Sequence, residues 1–103
     1  MSIDVRWEDE NGNELAAVLS PPASKFASLI PPASAQDFPC LRYLDHYGDT
    51  VFNQLQIPQL ADDLSRALSP TVDNDTRQHV EAILALVRKA DGEVHTYVKF
   101  YGD

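Results

Sequence analysis

The chain has 103 residues, with 16 Asp or Glu against 8 Lys or Arg, and its formal net charge at pH 7 is −8. Phosphate binding requires clustered Lys and Arg, so this charge argues against nucleic acid as a ligand and against an anionic membrane surface. The single cysteine excludes a disulfide framework, and no segment has the pattern of a signal peptide or a membrane span. We therefore expect one cytoplasmic domain, residues 1–103, with an apolar core.

The first predicted element is a β-hairpin. Residues 3–8 and 15–19 both alternate apolar and polar side chains, which is typical of strands with one buried face. A three-residue loop that closes on a left-handed glycine, Gly12, would pair Trp7 with Leu15 and keep the apolar residues on one face. A two-residue loop would mix the faces. We therefore predict the three-residue loop.

A proline-rich segment follows at about residues 20–39, where five of the seven prolines lie. Proline opposes regular sheet, so this segment is predicted to be a connecting loop that Phe26 and Phe38 hold against the domain. Beyond it, the sequence predicts a second hairpin, with strands at Leu41 to Asp45 and Thr50 to Asn53.

The period of the apolar residues then changes to that of helices. Two amphipathic helices are predicted, one from Ile57 to a stop at Pro70 and one over about residues 76–90, with His79 at the edge of the apolar stripe. Residues 93–101 form a final predicted strand. The predicted fold is therefore α+β, in the order β-β-loop-β-β-α-α-β, with a mainly antiparallel sheet of about five strands and two C-terminal helices packed on one face.

Catalytic motifs are absent from the sequence, and we expect no catalytic residue, metal ion or cofactor. One turn, Asp45 to Thr50, gathers an imidazole and two carboxylates, and His46 with Asp45 or Asp49 would suit a general base or a metal ligand. The alternative is structural: Asp and Gly residues make the turn, Asp49 accepts hydrogen bonds from loop amides, and Gly48 takes a positive φ. The structural interpretation is favoured because a divalent ion needs three or four converging ligands.

Two groups of side chains are candidates for binding a partner. Carboxylates crowd the tip of the first hairpin, and Asp62 and Asp63 add acidic groups on the first helix. Polar and aromatic residues alternate along the final strand, and tyrosines are enriched at protein interfaces. The predicted partner-binding residues are Glu8, Asp9, Glu10, Glu14, His95, Tyr97 and Tyr101.

Two segments of the sequence, YGDTVFNQLQ at residues 47–56 and HTYVKFYGD at residues 95–103, resemble a group of short bacterial proteins. The resemblance implies a bacterial, cytoplasmic protein. It implies no activity, cofactor or catalytic residue.

These observations predict a non-enzymatic protein-binding module, such as an immunity or inhibitor protein whose acidic surface neutralises a basic toxin or nuclease. Two alternatives stay open. One is a small metal-dependent or hydrolytic enzyme centred on Asp45, His46 and Asp49, and the other is a structural protein that associates with itself through a sheet face or edge.

Overall fold

A four-stranded antiparallel sheet forms one layer of the fold. The computed structural model describes residues 2–103, so residue 1 of the predicted domain lies outside the described residues. The strands are β1 (Ile3–Asp9), β2 (Glu14–Val18), β3 (Asp49–Phe52) and β4 (Thr96–Gly102), and their order in the sheet is β2-β1-β4-β3. The helices are α1 (Phe26–Leu29), α2 (Ile57–Ala67) and α3 (Asn74–Ala90), with a 3₁₀ turn at Leu41–Tyr43.

The structure confirms the α+β fold, the antiparallel sheet and the two long helices, but the prediction of a strand at Leu41 to Asp45 is wrong. That segment begins with the 3₁₀ turn, and the sheet has four strands instead of five. The cause is a distant carboxylate, since Asp63 accepts hydrogen bonds from the backbone amides of Cys40 and Leu41 at 2.8 and 3.0 Å. β3 therefore pairs with β4 and not with a preceding strand.

The predicted register of the first hairpin is also wrong. Trp7 pairs with Ala16, and a bulge between Trp7 and Glu8 shifts the pairing toward the turn. Gly12 does adopt the predicted left-handed conformation, with φ 83°. The side chain of Asp9 accepts hydrogen bonds from loop amides, which lengthens the loop, and the bulge absorbs the additional residue.

The core lies between the sheet and the helices. α3 packs against β1, β2 and β4, and α2 packs against α3. The apolar stripes predicted for both helices are buried in this layer, and so is Phe26 of the proline-rich segment. The side chain of Asp73 caps α3 by accepting a hydrogen bond from the amide of Thr76 at 2.7 Å. The largest fully buried apolar side chains are Phe100, Ile3, Leu41, Ile57, Leu60, Leu64 and Ile83.

The final strand occupies the centre of the sheet, between β1 and β3. Its predicted start at residue 93 is too early. Regular alternation from that residue would place Val94 on the same face as Val98, but Val94 is 58% exposed. The reason is local, because His95 has a φ of 60°, which breaks the alternation of faces just before Thr96. β4 therefore buries Thr96, Val98 and Phe100 and turns its other side chains to the opposite face.

Candidate functional site

The helices pack on one face of the sheet, and the alternate residues of each strand lie on the other face, which we call the open face. Tyr97, Lys99 and Tyr101 of β4 stand on it beside β1. β3 contributes Val51, which pairs with Lys99. The open face comprises Asp4, Arg6, Glu8, Ala17, Asp49, Val51, Tyr97, Lys99 and Tyr101.

Glu8 is the organising residue of the open face. Although it lies on the face without helices, it is only 5% exposed. The Tyr101 hydroxyl donates a hydrogen bond to Oε2 of Glu8 over 2.5 Å, and the Lys99 ammonium lies 3.0 Å from Oε1. The pKa of Glu8 is lowered, chiefly by the Tyr101 hydrogen bond, while burial acts in the opposite direction. The carboxylate is therefore held ionised by two side chains of β4.

Tyr101 lies along the open face instead of projecting from it. Its paired residue on β1 is Asp4, so its ring must extend along the sheet for its hydroxyl to reach Glu8. The Arg6 guanidinium lies 5.2 Å from the ring centroid, and its Nε is 3.4 Å from a carboxylate oxygen of Glu14. Burial, followed by the bond to Glu8, raises the pKa of Tyr101 to about 12. The phenol is thus neutral over the whole physiological range.

The four carboxylates predicted to form an exposed acidic tip have different environments. Glu8 is buried, and Asp9 accepts hydrogen bonds from the backbone amides of Asn11 and Asn13. Glu14 keeps 51% of its side chain exposed beside Arg6. Glu10 keeps 57% exposed and lies 3.4 Å from Nδ1 of His95. Glu10 and Glu14 are therefore exposed to a partner, whereas Glu8 and Asp9 are engaged in contacts within the chain.

A cavity of about 200 Å³ opens at the end of β4 where the strand begins. His95 and Tyr97, two of the predicted partner-binding residues, line it together with Leu55, which is 87% exposed. The backbone of His95 is left-handed, with φ 60°. A non-glycine residue keeps this unfavourable conformation only where the surrounding structure holds it in place. The full lining is Asn53, Gln54, Leu55, His95, Thr96 and Tyr97.

The side chains of the Asp45 to Thr50 turn make turn contacts. Nε2 of His46 donates to the Ala27 carbonyl at 3.0 Å, and Asp45 accepts a hydrogen bond from the amide of Tyr47 at 2.9 Å. The positive φ predicted for Gly48 is not observed, since the left-handed glycines of the described chain are Gly12 and Gly92. Within residues 2–103, no group of three or more His, Cys, Asp or Glu side chains is placed to hold a metal ion.

Two polar residues that the sequence placed at the surface are buried. Asp63, assigned to an acidic helix surface, has no exposed side-chain area, and its three-residue spacing from Leu60 was the one signal of burial. His79, expected at the boundary of α3, is 2% exposed. Its Nδ1 lies 2.6 Å from Oγ of Ser24, and its Nε2 has no hydrogen-bond partner. Both residues attach the proline-rich segment to the helices.

Burial also governs the single cysteine. Cys40 is 6% exposed, and burial raises the pKa of its thiol. No helix in the described part of the chain is long and apolar enough to span a membrane.

Comparison with protein-family models, with curated proteins and with solved structures finds nothing that matches this chain.

Proposed function

We propose that this protein is a non-enzymatic protein-binding module that docks a basic protein on its open face, in the manner of an immunity or inhibitor protein. The observation that carries the proposal is the uncovered sheet face, where a connected set of aromatic and charged side chains lies beside exposed apolar ones. Such a mixture of aromatic anchors and a polar rim is typical of protein interfaces.

Apolar side chains at the margins of the open face support this proposal. Leu15, at the hairpin bulge, is 47% exposed, and Leu19, beyond the end of β2, is 66% exposed. Val51 on β3 is 49% exposed. Tyr97 lies between these margins, on the central strand β4. A partner that covered this face would remove apolar surface from water on both sides of the tyrosine.

The hydrogen bond between Tyr101 and Glu8 favours binding of a partner because it holds both side chains in fixed positions. A side chain that is already fixed loses little conformational freedom when a partner covers it, so less binding free energy is spent on ordering. Tyr101, Arg6 and Lys99 are all held by contacts within the face. These residues therefore present a fixed shape to the partner.

Charge indicates the class of partner. The net charge is −8, and Glu10 and Glu14 are exposed at the hairpin end of the open face. Opposite potentials speed the encounter of two proteins, and a basic toxin or nuclease would meet this requirement. A protein that only covers the active site of its partner needs no catalytic residue of its own.

The test is to capture partners from the native host with the full chain and then to measure binding kinetics at two salt concentrations. Tyr97→Ala should raise the dissociation rate constant by about tenfold or more if Tyr97 is an anchor. Glu10→Gln with Glu14→Gln should mainly lower the association rate constant at low salt, because exposed charges act through steering.

Two control variants lie away from the open face. Tyr43→Ala removes an exposed tyrosine of the 3₁₀ turn, and Asp37→Asn removes an exposed charge of the proline-rich segment. Both should bind as the wild type does. An acidic partner, or a basic partner whose binding is unaffected by the variants of the open face, would contradict the proposal.

A further inference from the structure

The outer edge of β2 has no partner strand. β2 pairs only with β1, and within residues 2–103 no other backbone or side-chain group makes a hydrogen bond to the backbone of Glu14–Val18. Unpaired N–H and C=O groups along a strand edge are a template for a further strand. Natural edges are usually protected by Lys, Pro or inward charges, but four of these five residues are apolar: Leu15, Ala16, Ala17 and Val18.

A groove of about 250 Å³ runs beside this edge, between β2 and α3. On the helix side the small side chain of Ala85 leaves the space open, and on the strand side so does Ala16, which turns toward α3. The lining residues are Ala16, Ala17, Val18, Ala82, Ala85, Leu86 and Lys89.

Of the charged side chains in this part of α3, Lys89 lines the groove. Arg88 and Lys89 of its last turn are exposed and make no ion pair, hydrogen bond or cation–π contact in the described residues. Each of the other six Lys and Arg side chains makes at least one such contact. Glu81 is exposed and also makes no side-chain contact of these kinds. The helix thus carries a free anion and two free cations along one side.

We propose that the occupant of this edge is a second copy of the chain, paired antiparallel through β2 about a two-fold axis near Ala17 and Ala85. Glu81 and Lys89 lie at equal distances along the helix on either side of Ala85. The two-fold axis therefore brings Glu81 of each copy opposite Lys89 of the other, twice per dimer. The interface is self-complementary in charge, as an isologous contact must be.

This arrangement joins two four-stranded sheets into one of eight strands. The proposed dimer does not rest on the proposed function. It uses the backbone groups at the edge of the sheet, whereas a partner on the open face would contact side chains that project from the plane of the sheet. The two open faces would lie side by side, and the exposed Leu15 side chains would approach the paired edge.

The test is sedimentation equilibrium of the full chain from about 1 μM to about 1 mM, where weak dimers become populated. We expect a reversible monomer–dimer equilibrium in the wild type. Lys89→Glu and Glu81→Lys should each raise the dissociation constant by about tenfold, since each places like charges opposite one another twice. The double variant, which exchanges the two charges, should restore the wild-type dissociation constant.

Both side chains are exposed, so these substitutions leave the core intact, which far-UV circular dichroism would check. Asp37→Lys, a charge reversal distant from the groove, should leave the equilibrium unchanged. A wild type that stays monomeric at about 1 mM overturns the proposal. So does a double variant that dimerises no better than the single ones. Neither result bears on whether a basic protein binds the open face.

Discussion

The guanidinium of Arg66 lies 2.9 Å from Oδ1 of Asp63, a carboxylate with no exposed side-chain area. The same oxygen accepts a hydrogen bond from the Gln59 amide at 2.8 Å. The other carboxylate oxygen accepts hydrogen bonds from the backbone amides of Cys40 and Leu41. One buried charge therefore joins α2 to the end of the proline-rich segment.

Asp63→Asn should lower the free energy of unfolding by about 3 kcal/mol, because an amide offers one acceptor oxygen where the carboxylate uses two. Urea denaturation measures the change. Asp62→Asn is the matched control, since Asp62 also lies 2.9 Å from Arg66 but keeps 61% of its side chain exposed. The control should cost less than about 1 kcal/mol. Equal losses in the two variants would show that burial of Asp63 is energetically unimportant.

Acid should destabilise the fold through His79. Burial lowers the pKa of His79 below its ordinary value of 6.5, and the charge of Asp4 opposes this to a smaller extent. Below pH 6.5 the unfolded chain therefore binds the proton more readily than the folded chain. The contribution of His79 to stability is complete above that pH and is lost as the pH falls toward the folded-state pKa.

We expect His79→Leu to have a weaker dependence of unfolding free energy on pH between about 7 and 5 than the wild type. Ser24→Ala is the control, because it removes the hydrogen bond to Nδ1 but keeps the titrating ring. This control should lower stability by about 1 kcal/mol and keep the pH dependence. A His79→Leu variant with the wild-type pH dependence would show that another group is responsible.

Tyr101 should ionise only at strongly alkaline pH. Its pKa of about 12 exceeds the ordinary value of 10.0, so its neutral form stabilises the folded state below pH 10 and this contribution is lost as the pH rises through about 12. Absorbance at the phenolate band should show a component near pH 12 in the wild type that Tyr101→Phe lacks. Circular dichroism at each pH would establish that the fold persists. A missing component near pH 10 in Tyr101→Phe would refute the assignment.

Two glycines have other atoms close to the position that a Cβ would occupy, and the loss of stability on substitution by alanine should differ between them. A Cβ on Gly102 would collide with the backbone carbonyl of His46, which cannot move without displacing the turn. A Cβ on Gly48 would meet the side-chain carboxylate of Asp45, which can rotate. Gly102→Ala should therefore lower the free energy of unfolding by about 2 to 3 kcal/mol, and Gly48→Ala by less. Thermal unfolding of both variants measures which substitution lowers stability more, and a larger loss for Gly48→Ala would contradict the prediction.

The parts of the fold that follow from local periodicity could be predicted from the sequence. The helices around Leu60 and Ile83 and the strand with Val98 and Phe100 repeat their apolar residues at the spacing of their elements, and all four residues are buried. The segment after Pro39 could not be predicted in this way. Its conformation depends on Asp63, which lies far along the chain, so its local alternation gave a strand that the structure lacks.

The candidate site shows the same division. The position of Tyr97 and Tyr101 on one face of a strand follows from period-two alternation. The burial of Glu8 does not, because it depends on Lys99 and Tyr101, which are near the other end of the chain. The register shift at the bulge between Trp7 and Glu8 also determines which side chains of the hairpin are exposed. The turn residues alone do not predict this shift.

The two central strands, β1 and β4, are separated by nearly the whole chain, although they pair along their full lengths. Closing so large a loop costs entropy before any contact compensates for it, so this pairing should be a late event in folding. The contacts between α2 and α3 are short-range and can form first. Until β4 docks, the hairpin of β1 and β2 is an isolated pair of strands, which is marginally stable in water. The order of assembly thus places the most aggregation-prone stage, with Ile3 and Val5 uncovered, just before the last strand enters the sheet.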